Sequence, residues 1–358
     1  MPVMRAVGMR LARNIPAVDP RQMPLLRSNA TLNERYARAL ADAGIHAVWV
    51  HDDLSEGIEP RDLVSPAVRE RSARAVTKAM EGARQAVAGG QRLSPEALGE
   101  LHKVVDDIAE SVAQHPGASV VLDDLAAADA YTHQHSIDVC ALGLLLGREL
   151  FGTSGWQDDR GRRRFDDVDR RLHLLGLGLL VHDVGKMRIP LAILNKPGRL
   201  TDEEMAVMRS HPDEGADMLS GDGYSPLVRA VVREHHERWD GGGYPNGLSG
   251  RHIHQLGRIA AVADVYDAVT SERPYHPARP PYRGVEVILD DAGAAFDPEV
   301  VQVFRRVVHP YPIGSELRLP DGEVGVVARV DPDHPDCPWV RFPAGERPVD
   351  TEVELAAA

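Results

Sequence analysis

Apolar residues recur at three- and four-residue steps through most of the chain and alternate singly with polar ones only near its two ends, which predicts a mainly helical protein with small strand-bearing termini. From Val3 to Val50, short apolar runs are broken by Pro, Asn and Asp. Asn33–Ala43 reads as a helix closed by Gly44, and Ile45–Val50 as a strand. Asp52–Pro66 is polar and rich in turn residues, so a boundary is placed there. Val76, Met80, Ala83 and Val87 follow a four-three-four rhythm up to Gly89-Gly90. Ser94 and Pro95 read as an N-cap and first helical position, and Leu98, Leu101, Val105, Ile108 and Val112 continue the helical rhythm. The result is a helical hairpin whose apolar seam either packs on its own chain or joins two copies.

Asp123 to Val308 is helical in pattern. Leu125–Leu150 is the first run, and Leu172–Val181 is apolar enough to be buried on most sides. Thr201-Asp202-Glu203-Glu204 is a capping box opening a helix toward His211. Leu227–Val232 runs into His235, and Arg258–Ser271 is a further helix. Gly152–Asp169, with Arg160, Arg162, Arg163 and Arg164 among aspartates, interrupts the periodicity and reads as a solvated surface loop rather than a lid or partner site. Ser315–Leu319 and Val324–Val330 flank Asp321-Gly322, a hairpin turn. The expected organisation is a small N-terminal α/β unit (1–62), a helical hairpin connector (63–120), an all-helical domain (121–310) and a short C-terminal β unit (311–358).

Composition changes this picture in two ways. A formal net charge of −13 over 358 residues leaves no general positive field for a nucleic-acid polymer or an anionic membrane, although bound cations would reverse the sign locally. Two cysteines, Cys140 and Cys337, provide no disulfide framework, and a reducing cytoplasm is the expected compartment. Met1–Asn14 lacks the continuous apolar core of a signal peptide, and the longest apolar runs are too short to cross a bilayer.

The candidate chemistry centres on His235-His236-Glu237-Arg238-Trp239-Asp240-Gly241-Gly242-Gly243-Tyr244-Pro245, where two imidazoles close a helical run and a glycine-rich loop follows. Added to His135, His182-Asp183, His211 and Asp264, the pair makes an imidazole and carboxylate set suited to transition-metal ions. A carboxylate can bridge two ions and an imidazole cannot. Asp183, at the end of a buried helix, is therefore the expected bridge, with Asp264 as a second carboxylate. Two divalent ions ~3.5–4 Å apart would neutralise a phosphodiester and generate hydroxide near neutral pH. No Gly-x-Ser-x-Gly elbow supports a serine nucleophile.

His182-Asp183-Val184-Gly185-Lys186 resembles the signature of HD-type metal-dependent phosphohydrolases. His235 to Pro245 is similar to the HD-GYP subgroup, a class of bacterial cyclic di-GMP phosphodiesterases. Ile193–Gly198, His211-Pro212, Val262–Ala268 and Thr270–Tyr275 extend the resemblance over roughly Asp123–Pro310. It implies an all-helical HD fold with metal ligands at His135, His182, Asp183, His211, His235, His236 and Asp264, holding two divalent transition metals, iron or manganese foremost. It also implies a mechanism in which a hydroxide between the metals attacks phosphorus, Asp183 bridges, and Lys186 touches the phosphate. Arg273 is expected to meet substrate phosphate, and Gly243, Tyr244 and Pro245 to shape the pocket or meet signalling proteins. The implied reaction opens cyclic di-GMP to pGpG, with GMP as the product of a further step. The rival readings are a non-catalytic cyclic-dinucleotide sensor or partner-binding module, and the same chemistry on another cyclic dinucleotide.

This chain departs from the family pattern at four places. Tyr131 stands where some members carry an additional carboxylate, so two metals rather than three are expected. His276 replaces a basic residue, His254 a proline and Gly257 an alanine. His46, His51, His102, His115, His173, His309 and His334 are expected to be surface groups or core-edge donors. His133, two residues from His135, should point away from it.

Overall fold

A computed structural model describes residues 3–15, 24–42, 45, 48–58, 62–90, 98–114, 131–158, 160–221, 223–271, 279–331 and 334–351. The described residues are mainly helical, as the periodicity predicts. In chain order the elements are β1 (Arg10–Leu11), α1 (Glu34–Asp42), β2 (Val50–His51), α2 (Pro66–Ala88), α3 (Gly99–Ala113), α4 (Tyr131–Thr153), β3 (Trp156–Gln157), β4 (Arg163–Arg164) and α5 (Val168–Leu180). After a 3-10 turn at Val184–Arg188 come α6 (Leu191–Leu194), α7 (Asp202–Met208), α8 (His211–Met218), α9 (Pro226–Glu234), α10 (Gln255–Thr270), α11 (Pro281–Asp290), α12 (Pro298–Val307) and strands β5 to β8, at Glu316–Arg318, Val324–Asp331, His334–Phe342 and Gly345–Pro348.

Three apolar clusters hold these elements. The largest runs from Leu63 to Val308 and includes the faces of α2 and α3 together with those of α4, α5, α9, α10 and α12. The seam residues Val76, Leu101, Val105 and Ile108 are fully buried against this body, so that stripe faces the same chain rather than a second copy. A separate cluster gathers Val3, Leu11, Leu32, Leu40 and Val48. A third, with Leu317, Val327, Val340 and Phe342, lies on the antiparallel sheet β5-β6-β7-β8. Arg341 on β7 donates to Leu54 O and Glu56 O, so the two terminal units meet. No helix among the described residues is long and apolar enough to cross a membrane.

Four local expectations are corrected. Of the strand expected over Ile45–Val50, the ladder takes in Val50, paired with Leu11, and runs on to His51, paired with Arg10; Ile45 and Val48 are buried, and His46 and Ala47 lie outside the described residues. The helix opened by Thr201 stops at Met208 and a new one starts at His211, with Pro212 at its first turn, where a missing N–H is tolerated. The helix expected from Arg258 begins earlier, because the His254 side chain caps it by accepting from Leu256 N. Finally, Gly152–Asp169 contains an antiparallel hairpin, β3 with β4. Trp156 in it is buried under the Arg171 guanidinium, and Gln157 is tied to Gln255 and Arg258. The hairpin follows the far end of α4, 18 residues or about 27 Å of helix beyond His135, so it is no lid for the histidine cluster. Ser94 and Pro95 lie outside the described residues.

Candidate metal centre

Three histidines occupy the same local position on three different helices. His182, His211 and His235 follow or close the last turns of α5, α7 and α9, where backbone carbonyls lack intrahelical partners. Each uses Nδ1 to cap one of those carbonyls: Leu179 O at 2.7 Å, Met208 O at 2.8 Å and Val232 O at 2.8 Å. A carbonyl only accepts, so Nδ1 carries the proton and Nε2 presents a lone pair. All three Nε2 atoms face one buried space, into which the negative ends of three helix dipoles also point. His135, one turn into α4, has its Nδ1 2.5 Å from Asp267 Oδ2.

The cluster divides into two halves. In one, His135 Nε2 lies 3.2 Å from His182 Nε2 and 3.2 Å from Asp264 Oδ1. In the other, His211 Nε2 lies 3.3 Å from His235 Nε2, with His236 completing the group. Asp183 stands between them, Oδ2 3.5 Å from His182 Nε2 and Oδ1 3.3 Å from His211 Nε2. The turn after Asp183 packs so closely on α8 that a Cβ at Gly185 would fall 1.9 Å from His211 O, so only glycine allows this approach. All seven side chains singled out as ligands in the sequence therefore converge.

The donor set fits divalent ions. Two nitrogens bound to one ion at ~2.1 Å are separated by about 3.0–3.4 Å, which matches the observed spacings. Asp183 Oδ1 is buried with no hydrogen-bond partner among the described residues, an acceptor aimed into the cluster. The imidazole Nδ1–H groups engaged with carbonyls and a carboxylate are the outer contacts that orient metal-ligating histidines.

Electrostatics follow the same division. Burial keeps the imidazole of His182 low and that of His235 well below its usual range, and it brings His236 down to about 4. Burial opposes charge on His135 too, but hydrogen bonds with Asp264 and Asp267 override it and raise its pKa to about 10. Burial also works against the charge on Asp183, yet Lys186, His182 and His211 hold that carboxyl well below the ordinary range. Lys186 Nζ sits 2.5 Å from Asp183 Oδ2.

The glycine loop folds back over this cluster. Tyr244 N donates to His236 O, and the Tyr244 ring lies 4.8 Å from the His236 ring. The Arg209 guanidinium lies over the Tyr244 ring, 5.4 Å from its centre. A Cβ on Gly243 would fall 2.3 Å from Arg238 N, so this close turn requires glycine. Pro245 follows through a cis peptide bond. Glu237, buried directly after the histidine pair, accepts from Asn246 N at 2.7 Å and Leu248 N at 2.9 Å and closes the loop.

Arg273 and His276 lie outside the described residues. Glu237 and Asp267 were not assigned from sequence; Asp267 sits one turn after Asp264, and that i,i+3 spacing was its only signal. Two of the histidines expected as surface groups or core-edge donors bond to each other. His102 Nδ1 lies 2.8 Å from His173 Nε2, and His173 Nδ1 lies 2.9 Å from Asp106, joining α3 to α5. His309 is buried at the end of α12.

Residues 163–300 match the family model described as HD domain. Over 227 residues the chain is 42% identical to a protein of Pseudomonas aeruginosa named a cyclic di-GMP phosphodiesterase, covering 63% of this chain and 50% of that one. A Vibrio cholerae protein of the same name is 42% identical over 143 residues, 38% of this chain and 29% of its own length. Another from Vibrio cholerae, named a 3'3'-cGAMP-specific phosphodiesterase, is 39% identical over 125 residues, 34% of this chain and 24% of its own. The chain thus spans half or less of the length of these curated relatives.

Proposed function

From the match of residues 163–300 to the HD domain family model, we propose that this chain is a metal-dependent phosphodiesterase that opens cyclic di-GMP to linear pGpG, with GMP from a second cleavage. The observation that carries the reading is the paired cluster, in which Asp183 offers one carboxylate oxygen to each of two imidazole groups. His135, His182 and Asp264 would hold one divalent ion and His211, His235 and His236 the other, iron or manganese first, with Asp183 between them. Ions bound there would supply Lewis acidity toward phosphoryl oxygens and a water ionised near neutral pH.

The chain's own groups do the rest. Asp267 and the three helix-end carbonyls fix the imidazole rings, so the ligand geometry is formed before substrate arrives. Lys186 neutralises Asp183 in the structure; with that charge met by cations, its ammonium is the group placed to stabilise charge on a phosphoryl oxygen. Tyr244 walls one side against water, and the Gly243–Pro245 loop shapes the entrance. Arg273 is assigned to substrate phosphate on family resemblance alone. The same reading takes 121–310 as the catalytic unit, with accessory units at 1–62 and 311–358 and the connector at 63–120. It places the protein in the cytoplasm, with signalling proteins as partners at the loop.

Cyclic di-GMP ranks first because the relative aligned over 63% of this chain carries that name. The same chemistry on a mixed guanine–adenine ring is the second reading, favoured by the cGAMP-specific relative. The test is incubation of anaerobically purified, iron- or manganese-loaded protein with a panel of cyclic dinucleotides, with products read by mass spectrometry. pGpG or GMP should accumulate, and His182→Ala and Asp183→Ala should each abolish turnover. No product from any cyclic dinucleotide, or turnover unaffected by both substitutions, overturns the proposal.

A further inference from the structure

The helix that leads into the helical body touches two of the ligand-bearing segments. α2 packs against α4, which carries His135, and against the 3-10 turn after His182-Asp183. Its most direct contact is Arg69, whose Nη1 lies 2.6 Å from Asp138 Oδ1. Asp138, one turn beyond His135 on α4, is 1% exposed, and its second oxygen accepts from the Gln134 side chain at 2.8 Å. The carboxylate therefore fastens the first turns of α4 to one another and to α2. Helix ends fray unless held, and His135 lies only four residues after the first residue of α4. The His135 ring is itself held by Asp267, whose other oxygen accepts from Ser271 Oγ at 2.9 Å.

We infer that Arg69 is a positioning residue of the metal centre: through Asp138 it sets the register of the first turns of α4 and so places His135 Nε2 opposite His182 and Asp264. This rests on the metal-centre reading above. It extends that reading outside residues 163–300, which match the family model, into the connector, and makes α2 an element by which the N-terminal part of the chain bears on the half of the site that contains His135.

Charge alone predicts the reverse effect, because removing a cation near a cation site should tighten metal binding. Misplacement of His135 predicts weaker binding, confined to the half that contains it. The experiment is titration of metal-free full-length protein with Mn2+, following stoichiometry and affinity by calorimetry and the coupled or isolated state of the ions by electron paramagnetic resonance. Wild-type protein should bind two ions. Arg69→Met should weaken one of them by about tenfold, the scale of outer contacts to metal ligands, leave the other unchanged and convert the coupled signal to an isolated one. Pairing Arg69→Met with Asp138→Leu, which replaces the ion pair by an apolar contact, should restore the second ion. Arg69→Lys, which keeps the charge and loses the guanidinium fork, should fall between and provides the same comparison if Arg69→Met does not fold. Two ions bound by Arg69→Met with wild-type or greater affinity, or both weakened alike, overturn the assignment. Wild-type protein that binds no Mn2+ overturns the metal-centre reading and this inference with it.

Discussion

His135 and Asp267, 132 residues apart in sequence, meet with Nδ1 2.5 Å from Oδ2, and this contact turns the His135 Nε2 toward His182 and Asp264. Among His135, His182, His211 and His235, it is the His135 Nδ1 that faces a carboxylate; the other three face carbonyls at the ends of α5, α7 and α9.

Asp267→Asn should therefore keep the shape of the contact and lose its charge. Metal affinity is expected to fall by about 10–100-fold, with turnover falling in parallel and recovering at high metal concentration. Chelator competition on wild-type and variant protein measures this directly.

Gly243→Ala should separate the loop from the metals. The new methyl group would meet Arg238 N at 2.3 Å and His236 O at 2.6 Å, so the loop must move. We expect a stability loss of about 1–3 kcal/mol, retention of at least the ion on the His135 side, and a clear fall in kcat/KM. Denaturant titration and metal analysis on one sample distinguish these effects.

Arg258 and Asp297 form an ion pair that is 4% exposed at each side chain, with Arg258 also bound to Gln157 of the β3–β4 hairpin. Leaving Asp297 buried without its partner should cost about 3–5 kcal/mol. Arg258→Met is thus expected to lower the melting temperature sharply while the folded protein still binds its full complement of metal.

Acid sensitivity should report on His309. Burial pushes its imidazole down to about 4, against the pull of Asp336. The unfolded chain takes up a proton near 6.5 and the folded one does not until about 4, so its contribution to stability is complete above 6.5 and is lost as pH falls through that window. The loss amounts to at most about 3 kcal/mol. His309→Gln should flatten the decline between pH 7.5 and 4.5 in urea unfolding.

The sequence by itself determined the helical class, the capping box at Thr201 and the identity of the seven converging donors. All are local facts: periodicity marks which face of a helix is buried, and a histidine placed just after an apolar run lies where unpaired carbonyls can orient it. The glycines at 185 and 243 were visible as motif residues, but the close approaches that require them were not.

Only the tertiary structure decided how the donors divide into two halves around Asp183, and that Asp267, Arg69 and Glu237 support them. It also decided that Trp156 and Gln157 pin a hairpin where a loop was expected, and that His102 and His173 are a pair. Each of these depends on two segments, tens of residues apart, arriving within about 3 Å with a donor facing an acceptor. Hydrophobic spacing encodes which face turns inward; it carries no record of which polar group on another element will be waiting there.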